Sequence, residues 1–361
     1  MTANPAHPHA FPGATSVSLS PAALRECEAA HAGIKLMGHR ADPFTERRSD
    51  TRTVRIGTEH TMDKTSDKNP NIRLNNGVMM PALGFGVYRI SPDLTAEAVL
   101  AAFEAGYRLV DTAAAYNNEK GVGEAVARSG VPRSELFITS KLWPTDYGYE
   151  SALRAFDKSL GKLGLDYVDM YLLHWPFPSD FSKTIGAYRA LERERRNGRI
   201  RAIGVCNHNA ANLEKLVAET ATVPAVNQVE LHPFFTQTEL VHVHKRLGIV
   251  TQAWSPLGGV NVYDAEPHKA RHVLAHPIIT SLAARTGKTP GQVVLRWHIQ
   301  QGISAIPKSI HPGRIAENMN IFDFELSPRD MADISGLDTG IRGGDDPQSV
   351  TTETYPVVIA P

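Results

Sequence analysis

The 361-residue chain lacks the features that mark several common protein classes. It has only two cysteines, Cys27 and Cys206, which argues against both a disulfide framework and a thiolate zinc site. Lys plus Arg and Asp plus Glu both number 38, so the basic surplus typical of nucleic-acid-binding proteins is missing. No apolar run approaches the roughly 20 residues of a membrane helix, and no charged-then-apolar signal pattern opens the chain. We therefore expect a cytoplasmic protein without nucleic-acid or membrane partners.

The first 70 residues differ in composition from the rest of the chain. They are rich in His, Pro, Ala, Thr and Arg and have no sustained apolar period, apart from a weak helical patch that begins at Pro21. We predict a disordered extension over residues 1–70 and a single domain over residues 71–361, with a C-terminal loop from about residue 338. Met62 would serve as a natural start, so we expect that the fold does not need residues 1–61.

Short apolar runs alternate with helical patterns from Ile72 onwards. Two extended runs around Asn75-Asn76-Gly77 predict a β-hairpin. The eight strand candidates that follow begin at Ala82, Arg108, Leu136, Val168, Ile200, Ala225, Ile249 and Ile303. Helix starts with proline at the first helical position are predicted at Ser91-Pro92, Thr289-Pro290 and Ser327-Pro328.

Eight strands that alternate with helices are the number that closes a parallel barrel, so we predict an α/β fold, a (β/α)8 TIM barrel. A doubly wound open sheet is the competing architecture, and it would place a Gly-rich phosphate-binding turn after its first strand. The segment GFGVYR from Gly84 lacks the third glycine of that turn. Two long segments, 258–276 and 338–361, are expected to reach the C-terminal mouth of the barrel.

The last residues of neighbouring strands define a candidate active site, because strand ends share one rim of a parallel barrel. The second strand ends at Asp111, and Tyr116 follows; the third ends at Lys141 and the fourth at His174. A lysine ammonium stabilises a phenolate and is expected to lower the pKa of Tyr116, while Asp111 keeps the ammonium charged. These side chains predict a general acid that protonates an oxygen as it becomes negative, as carbonyl reduction requires.

The later strand ends suggest where a hydride donor would bind. Asn207 and Gln228 offer amides to a carboxamide, and Trp254 offers a flat face for stacking. Lys308, Ser309 and Arg314 surround a predicted helix start, which favours an anion site.

These motifs together resemble the aldo-keto reductase family, in particular its bacterial branch of 2,5-diketo-D-gluconate reductases. The resemblance runs from about Ile72 to Leu337 and rests on DTAAAYNNE, ITSKLW, LLHWP, IGVCN, SPLG and IPKSIHPGRIAEN, in that order. It implies a monomeric barrel that binds NADPH without a Rossmann fold. It also implies reduction of an aldehyde or ketone, including diketones and sugar ketoacids, by hydride transfer from nicotinamide C4.

The resemblance assigns a role to each matching residue. Tyr116 would be the acid/base, Lys141 and Asp111 would tune it, and His174 would orient the substrate. The implied cofactor contacts are Gly86, Val87, Asp111, Cys206, Asn207, Gln228, Trp254, Ser255, Leu257, Lys308, Ser309, Arg314, Glu317 and Asn318. The implied substrate-pocket residues are Tyr88, Trp143 and His174, and no metal is implied.

Three positions depart from the family pattern, and two other functions stay open. Cys206 replaces a common serine, Val87 a frequent threonine and Asn117 a frequent glycine. A non-catalytic NADPH-binding sensor of the same fold is one alternative. A metal-dependent hydrolase is the other, suggested by His242-Val243-His244, although this pair lies in a helical pattern rather than at a strand end.

Overall fold

The computed structural model describes residues 62–63, 69–259 and 273–351, together with 353, 357 and 359. The chain divides into two compact units, residues 1–54 and residues 55–361, and all described residues belong to the second. The helical patch predicted from Pro21 lies outside the described residues, as does most of the predicted N-terminal extension. The disorder predicted for that extension stays a prediction.

A small antiparallel sheet precedes the barrel. Strand β1 (Met62–Asp63) pairs with β2 (Asn71–Arg73), which pairs in turn with β3 (Met79–Pro81). The predicted hairpin of β2 and β3 is confirmed. Strand β1 was not predicted, because two residues are too few to show an alternating pattern. Ordered structure therefore begins before the predicted domain boundary at residue 71.

Eight parallel strands form the barrel in sequential order. They are β4 (Gly84–Gly86), β5 (Leu109–Asp111), β6 (Phe137–Leu142), β7 (Val168–Leu173), β8 (Ile200–Cys206), β9 (Val226–Glu230), β10 (Val250–Trp254) and β11 (Ser304–Ala305). A parallel bridge between Leu83 and Ala305 joins the first strand to the last. The predicted (β/α)8 barrel is confirmed, and the open sheet is excluded.

Close packing at the barrel seam depends on Gly86. Its backbone N–H donates to the Pro307 carbonyl at 3.0 Å, and a Cβ at this position would lie 2.9 Å from the Ile306 carbonyl oxygen. A larger residue would push β4 away from the segment after β11. This packing requirement explains the glycine without any ligand.

The helices cover the outside of the barrel. They are α1 (Pro92–Glu104), α2 (Glu119–Arg128), α3 (Tyr149–Leu163), α4 (Phe181–Arg196), α5 (Ala210–Glu219), α6 (Thr238–Leu247), α7 (Pro277–Thr286), α8 (Pro290–Gln300), α9 (Pro312–Met319) and α10 (Pro328–Ser335). The three proline-started helices are confirmed as α1, α8 and α10, and the last two have complete capping boxes. No helix in the described part is both long and apolar enough to cross a membrane.

The segment after α10 lies against the C-terminal end of β9. The backbone N–H groups of Gly343 and Gly344 donate to the Glu230 carboxylate at 2.7 and 2.9 Å. Further along, Val350 is buried with Trp143 and Trp175. Two successive N–H groups aimed at one carboxylate make a strong, directional contact. The other long segment, 258–276, was also expected to reach the mouth, but its residues 260–272 lie outside the described part of the chain.

Candidate active site

The four side chains predicted to act together meet at the C-terminal mouth of the barrel. Lys141 donates from Nζ to Asp111 Oδ1, to the Thr112 carbonyl at 2.9 Å and to Tyr116 OH at 3.3 Å. Tyr116 OH also lies 3.5 Å from His174 Nε2. The phenol therefore lies between a cation and an imidazole, which is the arrangement that a tuned proton donor needs.

A tight turn after β5 brings Tyr116 to this position. Residues Ala114–Tyr116 form a 3₁₀ turn, and Asn117 follows with φ of 55°, in the left-handed region that asparagine tolerates better than most residues. Asn118 is fully buried and donates to the carbonyls of Val87 and Ile90 at 2.9 and 3.2 Å. The departure from glycine at Asn117 is thus compatible with the turn.

Burial and the ion pair set the protonation states of the site. Burial raises the pKa of Tyr116, and the Lys141 ammonium offsets this increase only in part. The net lowering expected from the sequence is therefore not found, because that expectation ignored desolvation of the phenol. Burial alone would lower the pKa of Lys141, but attraction to Asp111 and its neighbours outweighs it and raises that pKa.

The pKa of His174 shifts in the opposite direction from those of Tyr116 and Lys141. Burial, with the Lys141 charge, lowers the pKa of His174 well below 6.5, so its imidazole is neutral near pH 7. At that pH the site holds a protonated phenol, an ammonium and a neutral imidazole. The phenol and the imidazole can hydrogen-bond to a substrate oxygen, whereas the three ammonium hydrogens of Lys141 are already directed to Asp111, Thr112 and Tyr116.

A chain of buried amides begins at Asp111. Gln228 Nε2 donates to Asp111 Oδ2 at 2.7 Å and to Gln252 Oε1 at 2.8 Å. Beside it, Asn207 donates to the His174 carbonyl at 3.1 Å and accepts from Trp254 Nε1 at 2.8 Å. These contacts bring the predicted amide pair and the predicted stacking indole to the same rim as the catalytic group.

Two backbone positions near these amides are unusual. Asn207 has φ of 60° and Ser255 has φ of 47°, both in the left-handed region. Such conformations cost on the order of 1 kcal/mol or more and are concentrated at functional sites. At Asn207 the turn directs the amide to His174 and Trp254. Leu257 is partly buried in the loop that Ser255 opens.

The predicted anion site lies at the start of α9. Lys308 is half-buried, Ser309 is buried and accepts from the His311 N–H at 3.1 Å, and Arg314 is exposed. Burial lowers the pKa of Lys308, and the nearby charge of Arg89 lowers it further. The neighbouring positive charges of Lys308 and Arg89 favour binding of an anion between or beside these two side chains.

The predicted adenine contacts lie on the same helix. Glu317 accepts from Thr289 Oγ1 at 2.8 Å, and Asn318 is buried. Glu317 therefore also supports the N-cap of α8, so its occurrence has a structural reason that does not involve a ligand.

Aromatic rings line the predicted substrate side. The Tyr88 ring centroid lies 5.0 Å from that of Tyr116, and the Trp143 centroid lies 5.1 Å from that of His174, with the two rings nearly perpendicular. Trp143 is buried, whereas Tyr88 is half-exposed. Trp175 and Val350 extend the apolar wall beside Trp143.

Two predicted cofactor contacts are enclosed by the protein. Val87 and Cys206 have no exposed surface, so contact with a ligand would require a local movement. Burial also raises the pKa of the Cys206 thiol, which disfavours a reactive thiolate. We interpret both side chains as packing residues beneath the site.

The His-x-His pair does not form a shared site. His244 is buried in α6 and bonds to Asn227 and to Thr251 Oγ1, each at 2.8 Å, whereas His242 is exposed. Within the described ranges, no group of three or more His, Cys, Asp or Glu side chains is placed to hold a metal ion. His244 therefore has a structural explanation, because it joins α6 to β9 and β10.

Sequence reasoning missed several residues that support the site. Gln252 is a polar residue of the buried strand β10, two positions before Trp254. Glu230 is a polar residue of the buried strand β9, two positions after Gln228. Because alternate residues of a strand face the same side, this spacing was a usable signal. Asn118 and Val350 offered no such pattern, since their positions depend on a turn and on the fold of the C-terminal segment.

Comparison with known proteins identifies the family. Residues 74–339 match the model described as the aldo/keto reductase family. Morphine 6-dehydrogenase of Pseudomonas putida is 54% identical over 290 residues, which cover 80% of this chain and 98% of that protein. Glyoxal reductase of Bacillus subtilis is 46% identical over 280 residues, with 77% and 96% covered.

Solved structures agree with this result. A crystal structure of a Bombyx mori aldo-keto reductase in complex with NADP aligns with a TM-score of 0.72 at 35% identity, covering 81% of this chain and 99% of that chain. The chain belongs to the aldo-keto reductase family, which confirms the resemblance drawn from the sequence motifs.

Proposed function

We propose that this protein is an NADPH-dependent aldo-keto reductase that converts an aldehyde or ketone to the alcohol. The observation that carries the proposal is the position of Tyr116 OH, 3.3 Å from Lys141 Nζ and 3.5 Å from His174 Nε2. A non-catalytic nucleotide-binding protein would have no use for a phenol held in this way. The conclusion is therefore an enzyme rather than a sensor.

The residues present fit NADPH. Gln228 Oε1 accepts no hydrogen bond within the described part of the chain, so it can accept one from a carboxamide NH₂. The Trp254 indole is partly exposed and offers a face for stacking. Lys308 and Arg314 supply positive charge for phosphate groups at the start of α9. The further proposed contacts are Asn207, Ser255, Leu257, Ser309, Glu317 and Asn318.

The bound cofactor supplies hydride from nicotinamide C4, and the protein supplies the proton. Tyr116 donates its phenolic proton to the carbonyl oxygen as negative charge develops there. Lys141 stabilises the resulting phenolate, and Asp111 holds Lys141 in place as a cation. His174, neutral near pH 7, hydrogen-bonds to the substrate oxygen and directs it towards Tyr116. General acid catalysis of this kind contributes about 10²- to 10⁴-fold in rate.

The character of the pocket wall favours one part of the predicted substrate range. The half-exposed Tyr88 ring contacts that of Tyr116, and the buried Trp143, with Trp175 and Val350 packed against it, contacts His174. We propose that aldehydes, ketones and diketones with an apolar body are better substrates than sugar ketoacids, whose hydroxyls would lose hydration here. The names of the two relatives refer to substrates of different size, so identity at this level does not fix the substrate.

A spectrophotometric assay tests the function. The decrease of NADPH absorbance is followed with aromatic aldehydes, diketones and a sugar ketoacid, and then with NADH in place of NADPH. We expect turnover of the apolar compounds and a preference for NADPH. Absence of turnover with every carbonyl would contradict the proposal.

A substitution of Arg314 tests the preference for NADPH over NADH. Arg314→Ala should raise the KM for NADPH and leave the KM for NADH unchanged, because only NADPH carries the 2′-phosphate. Lys245→Ala is the matched control, an exposed cation in the last turn of α6, on the rim opposite the mouth. Equal effects of the two variants would refute the assignment of Arg314.

Three further predictions concern the whole protein. We propose a monomer, which light scattering of the purified chain tests, and a cytoplasmic location, which cell fractionation tests. We also propose that residues 71–361 form one functional domain, and that residues 338–351 contribute to the substrate pocket.

A further inference from the structure

We propose that Gln252, a buried residue of β10, is a positioning residue that sets the orientation of the nicotinamide carboxamide through Gln228. The inference rests on the proposed function and adds a residue that does not itself touch substrate or cofactor. Gln252 is 1% exposed and lies beneath the mouth of the barrel.

Strand register places a row of polar side chains across three strands. Gln252 is the register partner of Gln228 on β9 and of Ser304 on β11. Gln252 Oε1 accepts from Gln228 Nε2 at 2.8 Å, and Gln252 Nε2 donates to Ser304 Oγ at 3.1 Å. All three side chains are buried, so none can exchange these bonds for water.

The direction of every bond in this row follows from Asp111. An ionised carboxylate only accepts hydrogen bonds, so Gln228 must turn Nε2, and not Oε1, towards Asp111 Oδ2 at 2.7 Å. The second hydrogen on that nitrogen then points to an acceptor, which Gln252 Oε1 provides. Gln252 must in turn direct its own nitrogen to Ser304. The ionised Asp111 thus fixes the donor and the acceptor in each hydrogen bond of the row from Gln228 through Gln252 to Ser304.

These bonds leave Gln228 Oε1 as a hydrogen-bond acceptor with a fixed direction for the cofactor. With both Nε2 hydrogens of Gln228 engaged, only its Oε1 remains, and this atom can pair only with a donor. The NH₂ side of a carboxamide meets that requirement and its carbonyl side does not. Asp111 fixes which end of the Gln228 amide faces it, and Gln252, by accepting the second Nε2 hydrogen, holds the plane of that amide and so the direction in which Oε1 meets the carboxamide.

Removing Gln252 should weaken this preference without disturbing the rest of the nucleotide site. Gln252→Met retains the approximate length of the side chain and removes the acceptor, so one Nε2 hydrogen of Gln228 loses its partner. Gln252→Glu is the conservative variant, because a buried, protonated carboxyl keeps an acceptor for Gln228 and a donor for Ser304. Thr251→Val is the matched control: it removes a bond to His244 of 2.8 Å on the opposite face of the same strand.

Isothermal titration calorimetry with two ligands separates positioning from general damage. One ligand is NADPH, and the other is adenosine 2′,5′-bisphosphate, which has the adenosine phosphates but no nicotinamide. Gln252→Met should weaken NADPH about tenfold, as the loss of one oriented hydrogen bond predicts, and leave the bisphosphate unchanged. Gln252→Glu should restore most NADPH affinity, and Thr251→Val should alter neither ligand.

Other results of these titrations would contradict either the positioning role of Gln252 or the proposed function. Unchanged NADPH affinity in Gln252→Met, or equal weakening of both ligands, would overturn the positioning role. If Gln252→Met does not fold, Ser304→Ala, which removes the acceptor of Gln252 Nε2, should weaken NADPH selectively; no selective loss would again overturn it. Failure of the unaltered protein to bind NADPH would instead overturn the proposed function.

Discussion

Replacing Lys141 with methionine would remove the cation from the centre of the site and leave Asp111 buried without its ion pair. Lys141 has no exposed surface, and its ammonium donates to Asp111, to the Thr112 carbonyl and to Tyr116 OH. After the substitution, the carboxylate would keep one side-chain donor, Gln228. A buried charge that loses its partner is strongly destabilising.

The size of the effect follows from burial of the pair. Removing one partner of a buried ion pair costs about 3 to 5 kcal/mol, a large share of the roughly 5 to 15 kcal/mol that stabilises a folded protein. A second change, Asp111→Asn, removes the stranded charge and keeps an oxygen that accepts from Gln228. The double variant should therefore regain most of the stability that Lys141→Met loses, while its activity stays low because no cation stabilises the phenolate.

Urea denaturation at pH 7 measures the stability, and NADPH oxidation measures the activity. The expected result is a free energy of unfolding that falls by a few kcal/mol in the single variant and recovers in the double variant. A single variant as stable as the unaltered protein would show that the Lys141–Asp111 contact is not a desolvated ion pair. Recovered activity in the double variant would refute the role of Lys141 in catalysis.

Two further predictions concern acid sensitivity and the N-terminus. Burial lowers the pKa of His208 to about 4 and the pKa values of His244 and His298 to about 3. The unfolded chain, with pKa values near 6.5, binds protons below that pH while the folded protein does not. Each histidine should therefore cost about 1.4 kcal/mol per pH unit from 6.5 down towards 4, and urea midpoints that stay constant from pH 7 to 5 would contradict this. Deletion of residues 1–61 should leave the melting temperature and activity unchanged, whereas deletion of 1–68 also removes β1 and should lower the melting temperature; equal losses in both truncations would refute the first expectation.

The parts of the fold that were predictable from sequence have local signals. Each barrel strand is a short apolar run, and each predicted helix start had a hydroxyl residue before proline. Asp111, Lys141 and His174 could be grouped because each is a polar residue within one position of the end of a buried strand. Once the barrel was inferred, its geometry required these residues to share a rim.

The rest depends on contacts between distant segments. The Tyr116 pKa could not be read from neighbouring charges alone, because desolvation is a property of the folded site. The contact of Glu230 with Gly343 and Gly344 joins residues more than 100 positions apart. Strand β1 is defined only by its pairing with β2. Such features have no periodic pattern in the sequence.

The comparison of Tyr116→Phe with the unaltered protein tests the proposed chemistry most directly. Phenylalanine keeps the ring against Tyr88 and His174 and removes only the hydroxyl. NADPH affinity, measured by titration, should stay the same, while turnover of a good carbonyl substrate should fall about 10²- to 10⁴-fold. Turnover equal to that of the unaltered protein would show that the proton comes from another group.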